Sequence, residues 1–115
     1  MASPELESQK KYPRQFSFEF FPPKNEKGGE RLRKVRDKLA ALDPLYVSVT
    51  FGAGGSTQAG TFETVKEMLD SGLDAAPHLS CIGSTRSKLR EILQSYMDIG
   101  VKRIVALRGD MPSGM

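Results

Sequence analysis

Gln15-Phe16-Ser17-Phe18-Glu19-Phe20-Phe21-Pro22-Pro23-Lys24 sets one carboxylate inside a run of aromatics. The stretch reads as a short β-strand over about Gln15 to Phe21. Side chains alternate along a strand, so Phe16, Phe18 and Phe20 share one face and Ser17, Glu19 and Phe21 share the other. Pro22-Pro23 ends it, because proline gives no N–H to a ladder and restricts the residue before it. Glu19 therefore lies near the C-terminal end of a hydrophobic strand. A buried carboxylate is costly unless it is paired or protonated, and one that keeps its proton is suited to general-acid work. The alternative is an ion pair with a Lys or Arg elsewhere in the chain.

Working outward, the same alternation and its helical counterpart recur. Met1–Arg14 is a polar tail containing Pro4 and Pro13, expected to be poorly ordered. Lys24–Glu30 reads as a polar loop holding Gly28-Gly29. A helix follows to about Leu42, with Leu32, Val35 and Leu39 on one face, and Asp43-Pro44 stops it. Leu45–Thr50 is a second strand, followed by the glycine-rich loop Phe51–Thr57. A second helix spans about Gln58 to Ser71, with Phe62, Val65 and Leu69 inward and Gly72 just past its end. Leu73–Leu79 is a third strand, with Pro77 expected at an irregular or terminal position. Helix three carries Leu89, Ile92, Leu93, Tyr96 and Met97, with Ser84 or Thr85 to cap its start and Gly100 its end. Arg103–Leu107 is a fourth strand. The order β-α-β-α-β-α-β, in units of roughly 30 residues, implies parallel strands joined by helical crossovers.

Composition narrows the classes of function. The 115 residues are enough for one small domain. A net charge of +3 is mild and mixed in sign, which leaves no nucleic-acid footprint. A single cysteine, Cys81, excludes an internal disulfide and agrees with a reducing compartment. No apolar run approaches the roughly 20 residues that span a bilayer, and the polar N-terminus is not a secretory signal. The default expectation is a cytoplasmic protein without nucleic-acid or membrane partners.

In parallel α/β folds ligands collect at the C-terminal ends of the strands. Here those ends carry Glu19, Thr50, His78 and Arg108-Gly109-Asp110. Each has a plainer explanation: Thr50 suits any strand, and His78, the sole histidine, could be a satisfied structural residue. The loop Gly52-Ala53-Gly54-Gly55 could cradle a phosphate, but it lacks both the Walker and the Rossmann spacing. Cys81 has no neighbour that marks it as a nucleophile, and no metal-ligand spacing is present. Four polar groups delivered to one rim are hard to explain by packing alone.

Four segments together resemble methylenetetrahydrofolate reductase. They are Phe-Ser-Phe-Glu-Phe-Phe-Pro-Pro-Lys at 16–24, Tyr-Val-Ser-Val-Thr-Phe-Gly-Ala-Gly-Gly-Ser at 46–56, Pro-His-Leu-Ser-Cys-Ile at 77–82 and Ala-Leu-Arg-Gly-Asp at 106–110. The resemblance implies an α/β fold, the N-terminal half (about four β/α units) of a (β/α)8 TIM barrel, over residues 15–115. It implies FAD at the strand C-termini, NADH or NADPH as hydride donor, and reduction of 5,10-methylenetetrahydrofolate to 5-methyltetrahydrofolate in one-carbon and methionine metabolism. By that resemblance Glu19 is the general acid that helps open the imidazolidine ring to an iminium, and Asp110 is the acidic residue near flavin and pterin. Thr50, Phe51, His78, Leu107, Arg108, Gly109 and Asp110 are flavin-contacting positions. Phe51 stands where many members carry tyrosine, so a hydroxyl is lost there.

A complete barrel runs to about 250 residues. This chain is therefore expected to be a piece of a longer protein, unstable and inactive by itself, with the complete enzyme a homo-oligomer. Two other readings stand beside the reductase. One is an α/β-barrel lyase or aldolase using Glu19 and His78 as acid and base. The other is a non-enzymatic half-barrel that associates with another chain.

Overall fold

The computed structural model describes residues 7–51, 58–81 and 84–108. It contains a four-stranded parallel sheet, β1 (Ser17–Phe20), β2 (Tyr46–Val49), β3 (Ala75–Ser80) and β4 (Val105–Leu107), in the order β1-β2-β3-β4. Helices α2 (Glu26–Ala40), α3 (Gln58–Asp70) and α4 (Arg86–Asp98) link successive strands. A five-residue helix α1 (Glu7–Lys11) precedes the sheet, within the stretch expected to be a disordered tail.

One face of the sheet builds the core. Phe20 of β1, Val47 and Val49 of β2, and Ala75 and Leu79 of β3 fall on the same side by register and alternation. They join Val65 and Met68 of α3 and Ile92 and Tyr96 of α4 in one buried cluster, with Leu32 and Leu39 of α2 packed against it. All three crossover helices thus lie on this side. Consecutive right-handed crossovers between neighbouring parallel strands have that consequence.

Local chemistry fixes the helix boundaries. α2 starts earlier than the sequence suggests, because the Asn25 side chain accepts from the Gly28 N–H at 2.8 Å and caps the first turn. Gly28 and Gly29, poor helix formers, are therefore helical and not part of a loop. α3 and α4 end alike: Gly72 N–H bonds to Leu69 O at 3.0 Å and Leu73 N–H to Met68 O at 3.2 Å, and Gly100 and Val101 repeat the pattern on Met97 and Tyr96. This termination needs a left-handed residue, and Gly72 (φ 95°) and Gly100 (φ 96°) supply it. Thr85 caps α4 by accepting from the Lys88 N–H at 3.1 Å.

Two inward assignments and the place of Pro77 differ. Val35 is exposed, because Leu32 and Leu39 point the same way two turns apart while Val35 lies about 60° to one side. The Arg36 side chain, only 13% exposed, lies instead toward α3, where it and Arg33 meet Glu67. Met97 is 66% exposed, about 100° around α4 from Tyr96. Pro77 is buried inside β3, not at an irregular end. Val47 N–H bonds to Asp74 O, so alternate β3 residues from 74 turn their peptide groups to β2 and Pro77 turns away from it. The β4 ladder begins only at His78, so the missing Pro77 donor disrupts no pairing.

Candidate functional site

None of the three crossover helices packs on the opposite face of the sheet. Ser17 and Glu19 project there from β1, Tyr46 and Ser48 from β2, Ala76, His78 and Ser80 from β3, and Val105 and Leu107 from β4. This is where the polar side chains of the strands gather, and Glu19 is the first of them.

Glu19 is not buried as its aromatic neighbours suggest. Its side chain is 55% exposed, because only the Phe18 and Phe20 side of β1 is covered. Its partner is neither Lys nor Arg. His78 Nε2 lies 3.3 Å from Glu19 Oε1 and 3.1 Å from Ser48 Oγ. Register explains the meeting: Glu19 pairs with Ser48 and Ser48 with Ala76, and His78 is the next residue of β3 on that face. The buried His78 ring thus reaches back over β2 to the edge strand.

Thr50 follows β2 directly and is anchored at both ends of its peptide. Its N–H donates to Phe20 O at 2.9 Å, and its carbonyl accepts from the Thr61 hydroxyl at 2.9 Å. Its own Oγ1 is buried with no hydrogen-bond partner among the described residues. Such a group costs about 1–3 kcal/mol when left unserved, so a hydroxyl held there fits a bound molecule that supplies the missing bond. A cofactor with a polar heterocyclic edge, such as a flavin, is chemically suited to it.

The remaining predicted positions divide. Phe51, half-buried, continues from Thr50. Leu107 ends β4 opposite Ser80, and Arg108 follows it, exposed. These two lie three strand spacings from Glu19, roughly 14 Å across the sheet, so the fold sets acid and β4 loop on opposite sides of one rim. Gly109, Asp110 and the glycine loop at 52–57 lie outside the described residues. Ser48 is the site residue that motif reading passed over. Its signal was present: it is the polar member of Val-Ser-Val and shares the alternation of Thr50.

Grooves also occur away from this face. One of about 400 Å³ between α2 and α3 is lined by Glu26, Glu30, Arg33, Glu63 and Glu67 among others, and it holds none of the strand-end residues. No group of three or more potential metal ligands occurs among the described residues, and none of their helices is long and apolar enough to cross a membrane.

Comparison with known proteins identifies the family. The methylenetetrahydrofolate reductase family matches residues 5–115. The chain is 47% identical over 97 residues to 5,10-methylenetetrahydrofolate reductase of Pectobacterium carotovorum subsp. carotovorum, which covers 84% of this chain and 33% of that protein. It is 46% identical over 99 residues to the Escherichia coli (strain K12) protein of the same name, covering 85% and 33%. Against methylenetetrahydrofolate reductase (NADH) 1 of Arabidopsis thaliana it is 39% identical over 100 residues, covering 86% and 17%. The chain thus spans about a third of the length of its bacterial relatives. With the match running over nearly its whole length, the chain belongs to the methylenetetrahydrofolate reductase family.

Proposed function

We propose that residues 15–115 form the first four β/α units of a (β/α)8 barrel whose sheet face opposite the crossover helices becomes the interior. Two observations support this: the strands are parallel in sequential order, and all crossover helices pack on one side. Residues 1–14 are a polar extension to that unit.

The activity proposed for the completed barrel is reduction of 5,10-methylenetetrahydrofolate to 5-methyltetrahydrofolate. The observation that carries it is Glu19, an acid held 3.3 Å from His78 at the strand-end rim where the family's reaction needs a proton donor. Glu19 carries the proton that the departing ring nitrogen of the folate takes as the imidazolidine opens. FAD, when bound, supplies the hydride, having received it from NADH or NADPH. Thr50, Phe51, His78, Leu107, Arg108, Gly109 and Asp110 would hold it, and the unserved Thr50 hydroxyl is the structural feature that fits such a role. The negative charge of Asp110 would tune flavin and pterin. The complete protein is read as a cytoplasmic homo-oligomer of one-carbon metabolism.

The test separates the two half-reactions. In a chain extended to the length of its relatives, Glu19→Gln should leave flavin binding and its reduction by nicotinamide intact while folate reduction falls at least 100-fold, the scale of a lost general acid. Equal loss of both half-reactions would remove Glu19 from the acid role. The Glu19–His78 contact also suits an acid–base lyase. A purified protein without flavin colour or absorbance would favour that reading over the reductase.

A further inference from the structure

Both contacts of the His78 ring fall on one atom. Nε2 meets Ser48 Oγ at 3.1 Å and Glu19 Oε1 at 3.3 Å. An imidazole nitrogen carries either one proton or one lone pair. An ionised Glu19 carboxylate has only acceptors, so at this distance its charge favours the proton on Nε2. A protonated, neutral Glu19 exerts no such preference. The proton of the acid and the tautomer of His78 are therefore linked. Ser48 is the neighbour that can serve both states, because its hydroxyl accepts when Nε2 is protonated and donates when Nε2 is bare.

We infer that Ser48 is a positioning residue for the acid: its hydrogen bond holds the His78 ring with Nε2 3.3 Å from Glu19, where the charge of the carboxylate and the tautomer of the imidazole bear on each other. Ser48 touches neither substrate nor cofactor in this role and acts through the imidazole. The surroundings isolate the link. Among the described residues, the groups that face the ring are Glu19 from β1 and Ser48 from β2, while β4 brings Val105, which has no titratable atom, into register with His78. Ser48 and His78 are buried and Glu19 is open, so the two inner members are held and the outer one is free to meet a ligand. The inference deepens the general-acid reading of Glu19 and rests on it for its purpose, though not for its detection.

The chain contains a single histidine, so the imidazole resonances in a ¹⁵N-labelled sample belong to His78. At one fixed pH they report which ring nitrogen carries the proton, in the 115-residue chain without flavin, folate or turnover. A facing carboxylate favours the proton on Nε2, so at fixed pH Glu19→Gln should shift the ring toward the Nδ1–H tautomer, read from its two ¹⁵N resonances. In a Ser48→Ala background the same substitution should produce less than half that shift, and Ser48→Thr, which keeps the hydroxyl, should restore it. A residue that only filled space would leave the coupling unchanged when replaced by alanine. The inference is overturned if Glu19→Gln shifts the tautomer equally in both backgrounds, or if it causes no shift when Ser48 is present. Failure of folate reduction with the coupling intact would instead count against the reductase reading and leave the Ser48–His78–Glu19 link standing.

Discussion

The two faces of one sheet have opposite characters. On the helix side, Val47, Val49, Val65, Met68 and Ala75 are sealed from solvent, and every buried strand residue is apolar. On the other side the same strands present Glu19, Ser48 and His78, joined by polar contacts, with Thr50 and its unserved hydroxyl at the end of β2. The period of two along each strand lets one sequence write both messages at once. The first face explains why the chain folds into these elements.

Substitutions on the two faces should therefore separate stability from chemistry. The largest loss of stability is expected on the helix side. Met68→Ala removes a fully buried side chain among Val65, Tyr96 and the strands and should cost about 2–5 kcal/mol in a denaturant titration. A smaller effect comes with pH. Burial pushes the Tyr96 phenol up to about 12, whereas an unfolded tyrosine ionises near ~10. Between these values the unfolded chain has released a proton that the folded chain still holds. Stability is then full below about pH 10 and is lost as pH rises through about 12. Thermal melts across that window should show the loss, and Tyr96→Phe should flatten it. The smallest effect belongs to the bare face: Ser17→Ala, exposed beside Glu19, should change stability by no more than about 0.5 kcal/mol. A large loss there would mean that this face is packed like the other and would erase the contrast.

The fold was largely legible in the chain. Alternation in Phe16–Phe20 and Leu45–Thr50, helical spacing in α3 and α4, and the glycines after both helices lead to the observed order of elements. The differences have local causes. Two glycines hid the first turn of α2, which the Asn25 cap holds in place. Pro77 reads as a strand breaker until the register shows its nitrogen turned away from β2 where the β4 ladder has yet to begin. The site was legible as residue types but not as contacts. The aromatics around Glu19 suggested burial because a sequence does not say which of two strand faces is covered. The approach of His78 to Glu19 depends on the register of three strands, and Ser48, the polar atom between them, stands out only once that register is known.

The central claim is that the bare face, and not the groove between α2 and α3, is built for a flavin. It is tested most directly by titrating FAD into the ¹⁵N-labelled 115-residue chain, with circular dichroism to establish that the chain is folded. Saturable shifts at Thr50, Phe51, His78, Leu107 and Arg108 are the predicted result. Saturable shifts centred on Arg33 and Glu67, or a folded chain that FAD leaves unchanged, would contradict it.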